Sequence, residues 1–132
     1  MRFLIDTDTC IYAIKQDARV LKALLSQTRS DVAVSVVTEA ELRTGATKST
    51  SPKKTLQLLE NFLRPITIVE FVSSDAIAYA QLRARLERSG RPIGPLDTLI
   101  AAQAVARGLT LVSINVREFG RVAGLRLENW AR

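Results

Sequence analysis

At 132 residues, 47% apolar and 24% charged, the chain has the size of one domain. It can bury roughly two-thirds of its unfolded surface, so no disulfide or metal staple is needed to fold it. It contains no histidine and a single cysteine, Cys10. Ser-His and Cys-His nucleophile pairs, histidine acid-base chemistry and zinc sites built from Cys and His are therefore excluded, and any catalysis must fall to carboxylates or hydroxyls. One cysteine forms no internal disulfide, the N-terminus meets Asp6 before an apolar leader could be complete, and no apolar run has the length of a membrane span. These features predict a cytoplasmic protein with no membrane association. The net charge of +6 points to a polyanionic partner, with a solvated basic surface as the plain alternative. With only 5% aromatic residues, a nucleic acid would be held through phosphates and shape and not by stacking its bases.

Short β-rich runs alternate with helical patterns throughout, and no linker, repeat or low-complexity tract interrupts them. Arg2 to Ile5 reads as the first strand, followed by helical sequence from Thr9 to Lys15 and from Ala18 to Ser26. Val32 to Val36 is the second strand. Thr38 and Glu41 then have the spacing of a capping box, opening a helix that Gly45 would close. Ser51-Pro52 predicts the start of another helix, with Leu56, Leu59, Phe62 and Leu63 facing inward and Pro65 ending it. Ile66 to Phe71 is the third strand. Ser74 should open a helix in which Ile77, Ala80, Leu82, Ala84 and Leu86 alternate with arginines, and residues 90–95 form a loop. A helix from Leu96 ends at the Gly108 cap, Thr110 to Ser113 is the fourth strand, and Leu125 to Glu128 a weaker fifth. The alternation predicts an α/β fold of three layers, with a mainly parallel central sheet of four to five strands and helices on both faces.

In such a sheet, ligands bind beyond the carboxyl ends of the strands. Asp6 and Asp8 follow the first strand, and Glu41 is expected in the first turn of the helix after the second. Asp97 occupies the first turn of a helix that must begin at the same edge, and Ser113, Asn115 and Glu118 come at or just after the end of the fourth strand. Each has an ordinary structural explanation in a turn, a cap or a helix-dipole contact. Together they place several carboxylates on one rim, where they repel one another unless a cation intervenes. Oxygen ligands without His or Cys favour Mg²⁺ or Mn²⁺. Glu39 competes with Glu41, because two residues of helix rotate the side chain by roughly 200° and only one can face the rim.

The ordered motifs resemble those of PIN-domain ribonucleases, and in particular of the VapC toxins of bacterial VapBC toxin-antitoxin pairs. Leu4-Ile5-Asp6-Thr7 is similar to the family's first strand and first metal acid. Glu41-Leu42 with Gly45-Ala46 resembles its second-acid motif, which favours Glu41 over Glu39. Ile93-Gly94-Pro95-Leu96-Asp97 resembles its third-acid helix, and Thr110 to Asn115 with Arg117-Glu118-Phe119 its fourth strand and the turn that completes the site. The likeness spans the chain and implies one PIN domain over residues 1–132. Two departures stand out: Asp8 occupies a position where the family usually carries Asn, and Ser113-Ile114 a position where it often carries Thr-Asn. Asn115 also stands where many PIN domains place an acid.

The resemblance implies an endoribonuclease in which Asp6, Glu41 and Asp97 hold Mg²⁺, with Mn²⁺ as an alternative, and an activated water cleaves RNA. Glu118 joins them as a catalytic residue, while Ser113, Asn115 and Asp8 support the site. Among RNA substrates, tRNA is expected. Arg85, Arg88 and Arg91, with Arg83 nearby, lie beside the loop leading to Asp97 and are candidates for phosphate contacts. A VapB-like antitoxin and a second copy of the chain are the implied partners. Tyr12, Tyr79 and Trp130 read as core or interface residues, and Cys10 as a small packed side chain. Two alternatives are an inactive PIN-like scaffold that binds RNA or protein, and a haloacid-dehalogenase-like phosphatase using Asp6 and Asp8.

Overall fold

The computed structural model describes residues 1–132. The first strand, β1 (Phe3–Ile5), lies at the centre of a five-stranded, fully parallel sheet. β2 (Val32–Ser35) and β3 (Thr67–Val69) extend it on one side, and β4 (Thr110–Val112) and β5 (Arg126–Glu128) on the other, in the order β3-β2-β1-β4-β5. Leu4 is level with Ala33 on β2 and with Leu111 on β4, so the three central strands end together.

The helices are α1 (Thr7–Ile14), α2 (Ala18–Leu25), α3 (Val36–Thr47), α4 (Pro52–Leu63), α5 (Ser73–Arg88), α6 (Pro95–Arg107) and the short α7 (Val116–Phe119). The period-two alternation of the strands divides them into two layers. Phe3, Ile5, Val32, Val34 and Val112 face a core built with Cys10, Val20, Leu42, Leu59 and Leu63 from α1 to α4. Leu4, Ala33 and Leu111 face the opposite core with Leu82, Leu86, Ile100 and Ala104 from α5 and α6, closed by Phe119. Because both faces are covered, the residues of β1 and β2 are buried without exception. No helix is long and apolar enough to cross a membrane.

Several boundaries differ from the sequence expectations, each for a local reason. α1 begins at Thr7 and not Thr9, because the Asp6 carboxylate accepts from the Thr9 amide and caps the helix as soon as β1 ends. β2 ends at Ser35, not Val36, and runs into α3 without a loop. The Ser35 hydroxyl, accepting from the Val37 amide at 3.0 Å, is the cap in place of Thr38. Gly45 does not end α3, which continues to Thr47 while Ala46 packs into the core. β3 is three residues long, not six, since its partner β2 has turned into α3 beyond the Ser35–Val69 pair. α5 begins at Ser73, with the Asp75 carboxylate accepting from the Val72 amide. Ile77 and Ala80 face outward, Ile77 being 63% exposed, because the inward stripe passes through Ala78, Leu82 and Leu86.

The Ser35 cap fixes where α3 starts and hence the height of Glu41 above the sheet. Ser35→Ala should lower unfolding free energy by about 1 kcal/mol in denaturant titration, the usual cost of losing a capping hydroxyl. An unchanged midpoint would return the capping role to Thr38.

Candidate active site

The carboxyl edge of the sheet gathers the acids. Asp6 follows β1 directly and is only 3% exposed, because its amide continues the sheet ladder to the Val112 carbonyl while its side chain turns back to cap α1. Burial raises its proton affinity above the ordinary value; hydrogen bonds from Ser113 and Thr9 oppose that rise, and the neighbouring Asp8 charge adds to it. Asp8, in the first turn of α1, is exposed.

Glu41 reaches the same edge from α3. Thr7, the residue after Asp6, donates its hydroxyl to Glu41 Oε1 at 2.7 Å and lies 3.1 Å from the Thr38 hydroxyl. Glu39 points elsewhere: its carboxylate pairs with Arg43 at 2.8 Å, and Arg43 also holds Glu60 of α4 at 2.5 Å. The structure thus separates two acids that the local sequence left equivalent.

Asp97 lies in the first turn of α6 and is the electrostatic focus of the rim. Its pKa is pushed up to about 6, first by burial and then by the charges of Glu118, Glu41, Asp6 and Asp8. Glu118, on α7, accepts from the Gly94 amide with Oε1 at 3.0 Å and from the Asn115 side-chain amide with Oε2 at 2.5 Å. The Asn115 backbone amide in turn donates to the Ser113 hydroxyl at 2.9 Å. Ser113 therefore bridges the end of β4 and Asp6, while Asn115 orients Glu118.

No Lys or Arg forms an ion pair with Asp6, Asp8, Glu41, Asp97 or Glu118; the chain's salt bridges all lie elsewhere. As the side chains lie, no three acids converge on one point closely enough to share an ion. The donor set is nonetheless that of a hard cation, all oxygen and mostly carboxylate, with its negative charge uncompensated. Cys10 takes no part: it is fully buried, and burial followed by the Asp6 charge pushes its thiol well above the ordinary range.

Comparison with known proteins agrees with this geometry. The PIN-domain model matches residues 3–125. The chain is 39% identical over 131 residues to the tRNA(fMet)-specific endonuclease VapC of Shigella flexneri, covering 99% of each. The VapBC complex of Salmonella typhimurium, solved bound to DNA, contains a chain of 38% identity that superposes with a TM-score of 0.94 over 98% of both chains. A VapBC2 structure from Rickettsia felis gives 0.93 at 35% identity, over 98% of this chain and 99% of that one.

The chain belongs to the PIN-domain family, among its VapC ribonucleases.

Its reaction class is hydrolysis of phosphodiester bonds, and the phosphatase reading of Asp6 and Asp8 is set aside. Around the acidic rim of this PIN domain, the arginines are unevenly committed. Arg83 is tied to Glu87 at 3.1 Å and to the Tyr79 hydroxyl at 2.8 Å. Arg85, Arg88 and Arg91 are exposed and form no ion pair. Trp130 packs edge-on against Phe3 at 5.2 Å between ring centroids, which makes it a core residue. Tyr12 is 38% exposed and Tyr79 half-buried. Sequence reasoning gave no role to the Thr7 hydroxyl, to the Gly94 amide or to Arg121, which donates to the Pro92 carbonyl. The only signal for Thr7 was its place beside Asp6; nothing local marks the other two.

The raised pKa of Asp97 makes a signed prediction for the metal-free protein. The folded state binds a proton at Asp97 up to about pH 6, whereas the unfolded chain releases it near the ordinary 3.8. Stability contributed by that proton is complete below the lower value and is lost as pH rises through the upper one. Asp97→Asn should therefore raise the melting temperature at pH 7 in EDTA and flatten the fall between about pH 4 and 6.5. Equal pH profiles for the two proteins would show that Asp97 is not under charge repulsion.

Proposed function

We propose that residues 1–132 act as one PIN domain and as the endoribonuclease toxin of a toxin-antitoxin pair, cleaving tRNA with a divalent cation. The observation that carries this reading is Asp97, crowded by Glu118, Glu41, Asp6 and Asp8 with no basic partner among them. Such a cluster carries mutual repulsion at neutral pH that a bound cation would relieve.

Asp6, Glu41 and Asp97 would hold Mg²⁺, or Mn²⁺ in its place. Such an ion would supply positive charge for the scissile phosphate and would lower the pKa of a water available for attack. The chain's own residues prepare the site. Thr7 steers Glu41, the Thr9 amide and Ser113 orient Asp6, and Asn115 and Gly94 fix both oxygens of Glu118. Glu118, engaged on both sides, shapes the acidic field around Asp97. Asp8, exposed next to Asp6, adds a further negative charge to the rim. Arg85, Arg88 and Arg91, exposed and in no ion pair, would hold RNA phosphates beside the rim.

The substrate reading rests on relatives named as tRNA(fMet)-specific endonucleases, at 38% and 39% identity over nearly the whole chain. The partner reading rests on the VapBC complexes that share its fold. A VapB-like antitoxin would restrain the cleavage, a second copy of the chain would complete the toxin, and the pair would act in the cytoplasm, where tRNA resides.

Antitoxin-free protein with Mg²⁺ should cut a tRNA(fMet) transcript at discrete positions, leaving 5′-phosphate and 3′-hydroxyl ends. EDTA should abolish the cut, and folded Asp97→Asn should reduce it by at least about a hundredfold, as expected when a metal ligand is removed. A 2′,3′-cyclic phosphate would overturn the mechanism by making the ribose hydroxyl the nucleophile. A folded protein that binds Mg²⁺ but spares every tRNA would move the substrate to another RNA, and one that binds no metal would be an inactive scaffold.

A further inference from the structure

The loop between α5 and α6, residues 90–94, joins the exposed arginines to Asp97. Its beginning is tied to α5, with the Gly90 amide donating to Glu87 O and the Arg91 amide to Leu86 O, both at 3.0 Å. Gly90 has φ +70°, the left-handed conformation that lets the chain leave the helix there. Its end is tied to α6, where the Thr98 amide and hydroxyl donate to Gly94 O at 2.9 and 2.8 Å. Between these anchors lies Pro92, which has no N–H, so the middle of the loop has few donors with which to hold itself.

That middle is gripped from the far end of the chain. Arg121 Nη1 donates to the Pro92 carbonyl at 3.0 Å, and Glu118 Oε1 accepts from the Gly94 amide at 3.0 Å. Both gripping residues come from α7 and the turn that follows it. At Gly120 an added Cβ would stand 2.7 Å from the Val116 carbonyl, so only glycine permits the tight turn between Glu118 and Arg121. α7 and the turn after it need neither residue for their seat, since Phe119 and Val122 anchor them at 1% and 4% exposure. Arg121 is also held at a cost, because its Nε is buried without an acceptor. A guanidinium kept under that penalty serves position more than stability.

We propose that Arg121, acting with Glu118, is a positioning residue that sets the Arg91 loop against the catalytic rim and so fixes how RNA phosphates meet Asp97. The inference rests on the RNA-cleaving reading above. Asp97 itself is carried by α6, whose first turn is seated by buried Thr98 and Ile100. Loosening the Arg121 grip therefore shifts the Arg91 loop and leaves Asp6, Glu41 and Asp97 in place, an effect on substrate capture and not on the chemical step.

The test is a double-mutant cycle on antitoxin-free protein, with a tRNA(fMet) transcript and Mg²⁺. Arg121→Met and Arg91→Gln should each raise KM about threefold, the size of one phosphate contact, with kcat little changed. The double variant should be no worse than the more impaired single one, and Arg121→Lys, which can still donate to Pro92 O, should recover part of the loss. Exchange of the Gly94 amide, followed by NMR, should accelerate in Arg121→Met. KM effects that multiply in the double variant, or an unchanged Gly94 exchange rate, would overturn the clamp while leaving the ribonuclease reading intact. Wild-type protein that cleaves no RNA would overturn both.

Discussion

Like charges brought together in a partly desolvated cleft raise one another's proton affinity, and the cost grows with each acid added. Asp97 bears that cost, with its pKa pushed up to about 6 by burial and four neighbouring carboxylates. The chain carries 19 Lys and Arg residues, yet none is paired with those acids. The acidic cluster of this basic protein therefore has no internal counter-charge. Arg85, Arg88 and Arg91 are likewise exposed and without ion pairs.

Holding such a cluster requires a scaffold that does not relax away from it. β1, the central strand, is paired on both sides and buried on both faces, so the chain direction at Asp6 is set by two ladders. The capping bond to Thr9 then fixes the carboxylate itself. β2 passes straight into α3 through the Ser35 cap, and β4 passes into α7 through Ser113 and Asn115. Each acid is thus one short, hydrogen-bonded step from a rigid strand or helix, the arrangement that preorganised sites need.

The rim also divides its acids by function of position. Asp6 and Glu41 are oriented by hydroxyls and amides of the first strand-helix turn, whereas Glu118 is oriented by the loop before α6 and by Asn115. The two groups meet at Asp97. That layout joins the acidic centre to the segment bearing Arg91 through the Gly94 amide. The Glu39-Arg43-Glu60 network plays no part in it and ties α3 to α4 on the far side.

The alternation of β-rich and helical segments, the parallel α/β class and the helices on both faces were legible in the sequence, because strand and helix periodicities are written locally. So was the presence of acids after the first, second and fourth strands and at the start of α6, since a parallel sheet brings those positions to one edge. Boundaries were less legible: Thr38 has the spacing of a cap, but the length of β2 gives that task to Ser35. Outward-facing Ile77 shows the same limit, because the stripe that faces the core depends on how α5 lies against α6. The choice between Glu39 and Glu41 from the residues alone, the Thr7 bond to Glu41, and the hold of Glu118 and Arg121 on residues 92–94 were decided only by the tertiary structure. These contacts join residues 24 to 34 positions apart, and no local pattern encodes a distance that exists only after the sheet has assembled.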